Sequence, residues 1–125
     1  DGDILNKSVK NVRPLELHFD VAMHGSPTSV GFGTTETNMS ARTLAAIIRH
    51  SKGYKGQKIR LLSCNTGRNV GHNYCFAEEL ANALGVEVIA PNDVLYISPM
   101  GQLQVGDDGS GEFVIFKPNQ RRRIK

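Results

Sequence analysis

A chain of 125 residues, 39% apolar and 22% charged, has the length and composition of one folded domain with a single core. The formal net charge of +3 is too small to imply nucleic-acid binding by itself. No run approaches the ~20 apolar residues of a membrane-spanning helix, so no membrane span is expected in this segment. No basic region followed by an apolar stretch opens the chain, so no signal peptide is expected either.

Asp1 to Pro14 is polar and irregular, apart from Ile4-Leu5, and reads as a leader or linker. Leu15 to Met23 alternates, with Leu15, Leu17, Phe19, Val21 and Met23 on one face, which predicts a strand. His18 and Asp20 read as strand-face residues with local partners. His24-Gly25-Ser26-Pro27 breaks the strand, because Pro27 cannot continue a ladder. Ser29 to Thr35, with Gly31 and Gly33, reads as a small hairpin or a glycine-rich loop. Its G-F-G spacing completes neither a dinucleotide nor a phosphate-loop fingerprint.

Ser40 is the predicted N-cap of a helix over 41–50, with Ala41, Leu44, Ala45 and Ile48 at helical spacing. Lys58 to Ser63 predicts a second strand that stops at Cys64, followed by a polar loop through Asn73. A second helix is predicted over 74–84, with Phe76, Leu80, Ala83 and Leu84 inward and Gly85 closing it. Cys75 in its first turn reads as a small packing residue. Val86 to Ala90 and Val94 to Ser98 predict further strands. Gln102 to Val105 and Glu112 to Lys117 are expected to pair as a C-terminal hairpin across the turn cluster at 107–111. The tail Arg121-Arg122-Arg123-Ile124-Lys125 reads as a solvated terminus.

Two strands therefore end abruptly in reactive side chains, one in His24 and the other in Cys64. A thiol attacks as thiolate, and near neutral pH it needs a neighbouring base or positive charge to become one. Histidine is the usual base, because its ordinary pKa lies near working pH. A right-handed crossover through the helix between them sets the two strands parallel and adjacent, with both residues at one end of the sheet. Amides after His24 and around Cys64 can then donate to an oxyanion. Asn65 and Asp20 are the candidates for a third, orienting group. Cys64 and Cys75 do not make a disulfide framework, so free thiols and a reducing site of action are expected. His24, Cys64, His72 and Cys75 have no paired metal-ligand spacing, and neither a metal nor a cofactor is expected.

An apolar strand ending in His24-Gly25, then one ending in Ser63-Cys64, resembles the caspase–gingipain type of cysteine peptidase over roughly residues 15–90. The resemblance implies a caspase-like fold in which His24 is general base and acid, Gly25 belongs to the oxyanion hole and Cys64 is the nucleophile. Ser63 departs from the Ala or Gly of many members. A second resemblance covers more of the chain. Met39-Ser40-Ala41-Arg42-Thr43-Leu44, Ile59 to Gly67, Phe76-Ala77-Glu78-Glu79-Leu80-Ala81 and Ala90-Pro91-Asn92-Asp93 look like the C-terminal domains of bacterial polymorphic toxins of the contact-dependent and Rhs types. That likeness implies release from a larger secreted carrier, action in the cytoplasm of a target cell and a cognate immunity protein as partner. A chain that starts at Asp1 rather than Met fits a domain cut from a longer protein.

The expected fold is a small layered α/β domain with a central, mostly parallel sheet, helices on its faces and an antiparallel C-terminal hairpin. The expected organisation is a leader at 1–14, a single domain at 15–118 and a basic tail at 119–125. The expected function is a His24/Cys64-dependent hydrolase, with Gly25, Ser26, Asn65, Thr66 and Asp93 around the oxyanion or substrate and a protein as substrate. One alternative is a metal-independent ribonuclease toxin that cleaves tRNA or rRNA, using His24, Asn65, Thr66, Arg68 and His72 with the basic tail on the RNA. A further alternative is a binding domain with a buried, inert Cys64.

Overall fold

The strand Lys58–Leu62 is the spine of the fold, with four of its five residues buried. It is seen in a computed structural model that describes residues 12–31, 39–69 and 75–118. Those residues form, in chain order, β1 (His18–Ala22), β2 (His24–Gly25), β3 (Val30–Gly31), α1 (Ala41–Arg49), β4 (Lys58–Leu62), α2 (Phe76–Leu84), β5 (Val88–Pro91), β6 (Leu95–Ile97), β7 (Leu103–Val105) and β8 (Phe113–Phe116). The main sheet has the order β1-β4-β5-β8. β1 and β5 flank β4 in parallel, and β8 closes the far edge antiparallel to β5. Two small antiparallel pairs, β2–β3 and β6–β7, stand apart from it. The chain is thus an α/β domain with a mostly parallel sheet and a C-terminal hairpin.

The register puts Phe19, Ile59, Val88 and Phe116 in one row across the sheet. With Val21, Leu61 and Ala90 they make the floor of the core. Both helices cover this one face, as two successive right-handed crossovers in the same direction require. α1 contributes Ala41, Leu44, Ala45 and Ile48, and α2 contributes Phe76, Ala77, Leu80 and Ala81. Burial of these side chains drives the fold, at about 1.5–3 kcal/mol for each large one.

The helix ends show why the sequence folds this way locally. Ser40 caps α1, its hydroxyl accepting the Thr43 amide at 3.2 Å. α2 has Cys75 at its N-cap position, with no side-chain cap. Backbone carbonyls take that role instead: the Phe76 amide donates to Pro27 O at 2.7 Å and the Ala77 amide to Thr66 O at 2.9 Å. Glu78 and Glu79 in the first turn suit the positive end of the helix dipole. Gly85 closes α2 in the left-handed conformation, with φ at 76°.

On the opposite sheet face, Arg60 and Asp20 face each other across β1 and β4. Arg60 Nε and Nη2 donate to the two Asp20 carboxylate oxygens at 2.9 and 2.6 Å, and Nη2 also donates to Arg13 O at 3.0 Å. One departure from the alternating pattern lies just before β1: the His18 amide donates to Leu15 O at 3.1 Å, and Leu17 takes φ of 68° in that turn. Leu15 and Leu17 are consequently exposed, Leu17 at 73%, and do not extend the strand into the core.

The pairing of the last strands also differs from expectation. β7 pairs with β6, Leu103 opposite Ile97, whereas β8 pairs with β5. Gly106 and Gly109, with φ of 88° and 77°, turn the chain after β7. Asn92 then captures the start of β8: Glu112 N–H donates to Asn92 Oδ1 at 2.9 Å, and Asn92 N–H to Glu112 O at 3.0 Å. α2 begins at Phe76 within the described residues. The expectations for Gly33, His72, Tyr74, most of the leader and the basic tail lie outside them.

Candidate active site

β1 and β4 leave the sheet at the same end, with Ala22 opposite Leu62 and the Met23 amide donating to Leu62 O at 3.3 Å. His24–Gly25 and Ser63–Cys64 are the residues that follow. The two segments touch directly. A Cβ added to Gly25 would lie 2.6 Å from Cys64 O, 2.9 Å from Thr66 Cγ2 and 3.0 Å from Ser63 Cβ. Only glycine fits against that turn. The expectation that the strands before His24 and Cys64 are parallel neighbours is met, and the contact between the segments that follow them is made by Gly25 and the Cys64 turn.

The turn after β4 is fixed from within and from the far side. The Ser63 hydroxyl lies 3.0 Å from that of Thr66, which donates to Ser63 O at 3.2 Å. Both residues are buried. A hydroxyl at position 63 is therefore accommodated by Thr66, which accounts for serine there. Thr66 holds the turn and does not face solvent. On the far side the Asn65 amide donates to Asp93 O at 3.0 Å and the Gly67 amide to Pro91 O at 2.8 Å. A Cβ on Gly67 would fall 2.6 Å from Ala90 O, so this close approach also demands glycine.

Pinned in this way, half-buried Cys64 meets the first residue of β6. The Leu95 amide donates to Cys64 Sγ at 3.3 Å, and the Cys64 thiol donates to Leu95 O at 3.8 Å. Neither Leu95 nor β6 was singled out from the sequence as part of the site. The contact is made by main-chain atoms, so no residue type announces it.

His24 is half-buried on β2, opposite Gly31. Its Nε2 is closed off from solvent and has no hydrogen-bond partner among the described residues. The same holds for Asn65 Oδ1. Ser26 organises the β2–β3 turn: its hydroxyl accepts the amides of Ser29 and Thr28 at 3.1 and 3.3 Å. The Ser26 amide donates to Ser29 O at 2.9 Å, so positions 26/29 and 24/31 are the bonded pairs of this ladder. By the alternation of antiparallel pairs, the Gly25 N–H points out of the hairpin. Asp93 Oδ1 accepts the Val94 amide at 2.8 Å. Arg68 is exposed, with its amide bonded to Asn65 O at 3.1 Å.

β6 and β7 extend the site away from the sulfur. Gly106 N–H to Val94 O at 2.7 Å and Ser98 N–H to Gln102 O at 2.9 Å mark the bonded pairs of that ladder. The amides and carbonyls of Leu95 and Ile97 therefore point to its other edge, where Cys64 lies against Leu95. A shallow cavity of about 590 Å³ starts one residue beyond Leu95, lined by Tyr96, Ile97, Ser98, Gln102, Leu103 and Gln104. The Tyr96 hydroxyl donates to the Asp107 carboxylate. That hydrogen bond is the main cause that pushes the Tyr96 phenol above its ordinary value, and the charges at Cys64 and Asp93 push the same way.

Among the described residues no three His, Cys, Asp or Glu side chains converge as a metal site, and no helix is long and apolar enough to cross a membrane. The family profile described as a domain of unknown function, DUF8616, matches residues 1–105, and the chain belongs to that family. No curated protein and no solved structure matches the chain. The family match takes in β1 through β7 and stops before β8.

Proposed function

We propose that this member of the DUF8616 family is a cysteine-dependent hydrolase of peptide bonds, with Cys64 as nucleophile and His24 as general base and acid. The observation that carries the reading is the seating of Gly25 against the Cys64 carbonyl, which brings the residue after His24 onto the residue expected to attack. In the reaction the Cys64 thiol gives its proton to His24, and the thiolate adds to the substrate carbonyl carbon. The Gly25 N–H donates to the oxyanion. Collapse breaks the C–N bond, and His24 returns the proton to the departing amine. Water, deprotonated by His24, then hydrolyses the thioester and restores the thiol.

The free edge of β6 supports a peptide rather than an RNA as substrate. An extended chain laid along it would find the amide and carbonyl of Ile97, with its next residues approaching Cys64 past Leu95. Tyr96 and the cavity beside it would meet the substrate's side chains. The setting of a toxin effector, released from a carrier and opposed by an immunity protein, is supported by the sequence resemblance of the segments around Ser40, Cys64, Phe76 and Ala90.

Cells that produce the domain test this reading. Growth inhibition should vanish in Cys64→Ala and in His24→Ala, while total RNA stays intact and a cellular protein is cleaved. Discrete tRNA or rRNA fragments, or full toxicity of Cys64→Ala, would contradict it and favour the ribonuclease.

A further inference from the structure

Among the described residues two side-chain polar atoms are buried without partners, one in His24 and one in Asn65, and they are chemically complementary. His24 Nε2 can carry a proton, and Asn65 Oδ1 can only accept one. Buried orphans of this kind are uncommon and need a cause. They belong to the residues on either side of a direct backbone contact: Gly25 follows His24 and touches the carbonyl oxygen of Cys64, which precedes Asn65.

We propose that Asn65 is the positioning residue for His24, its carboxamide oxygen accepting the Nε2–H of the imidazole in the engaged site. This inference rests on the reading of His24 and Cys64 as a dyad. The hydrogen bond fixes the tautomer: with the proton on Nε2, Nδ1 keeps its lone pair and receives the Cys64 thiol proton. The imidazolium that forms is then held by Asn65 on one side and the thiolate on the other.

The backbone of position 65 is already fully engaged. Its amide bonds Asp93 O and its carbonyl accepts the Arg68 amide. Its φ of 62° lies in the left-handed region, where glycine is least strained and asparagine is tolerated. The turn itself thus needs nothing from the carboxamide, and a purely structural position would be served at least as well by glycine. The other sequence candidate for this role, Asp20, is committed elsewhere, with both its oxygens in the Arg60 fork.

The test is the pH dependence of Cys64 alkylation by iodoacetamide in the purified domain, with Cys75→Ala as background and His24→Ala, Asn65→Gly and Asn65→Asp compared. Asn65→Gly should fold as stably as the parent yet lose the rate advantage near neutral pH that His24 confers, with peptide hydrolysis slowed roughly tenfold or more. Asn65→Asp, which keeps an acceptor, should restore most of that rate. A parent profile that differs from His24→Ala but is shared by Asn65→Gly would overturn the role of Asn65 alone. A parent profile identical to His24→Ala would overturn the dyad and this inference with it.

Discussion

The two cysteines of this chain have opposite surroundings. Cys75 precedes α2 at 0% exposure, inside the core with Phe76 and Leu80. Burial pushes its thiol above the ordinary value of 9.0, which keeps it protonated and inert. Cys64 is half-buried at the mouth of the sheet, with the Leu95 amide aimed at its sulfur and Gly25 packed on its carbonyl. One thiol is packing, and the other is the nucleophile we propose. The difference comes from position relative to strand ends, since the residue type is the same.

The largest effect that tests this contrast is on activity. Cys64→Ala should reduce peptide hydrolysis on the order of a thousandfold or more. Cys75→Ala should leave hydrolysis near the parent level and instead lower stability by about 1–2 kcal/mol, read from a urea midpoint. Equal losses from both substitutions would erase the contrast.

A smaller effect should follow from separating the two segments. Gly25→Ala places a methyl against Cys64 O and Thr66 Cγ2, so the His24 hairpin must shift off the turn. We expect a cost of roughly 1–3 kcal/mol in stability, together with slower alkylation of Cys64. Unchanged alkylation in a destabilised Gly25→Ala would mean that the contact serves the fold alone.

The smallest effect is on stability against pH. The folded-state pKa of Cys75 is raised, so its contribution is complete below the unfolded value of 9.0 and is lost as pH rises through the folded value. Between about pH 8 and 10 the parent should therefore lose urea stability faster than Cys75→Ala.

Much of this arrangement is legible in the residues, and what is not has identifiable causes. α1 is readable because its signals are local: Ser40 caps it, and Ala41, Leu44, Ala45 and Ile48 recur on the buried face. The strand ends at His24 and Cys64 are readable because apolar runs stop at glycine-bearing turns. The partner of β8 is not, because it depends on Asn92 capturing Glu112 across twenty residues of sequence, while β7 lies closer along the chain. Leu15 and Leu17 mimic strand alternation, and only the fold reveals that they lie in a turn, with the His18 amide bonded to Leu15 O. Within the site, His24, Gly25 and Cys64 are legible as residue types. Thr66 is legible as part of the turn, and its burial is not. The Leu95 contact is made by backbone atoms that every residue carries, so it emerges only with the fold.

The most direct measurement is covalent capture of Cys64 by a peptidyl halomethyl ketone, followed by intact mass and peptide mapping, in the parent and in His24→Ala. The parent should gain one adduct, at Cys64, quickly near neutral pH, with Cys75 unlabelled until the protein is unfolded. His24→Ala should label far more slowly. Equal labelling rates in the two proteins, or an adduct on Cys75 in the folded parent, would contradict the assignment of Cys64 as a nucleophile activated by His24.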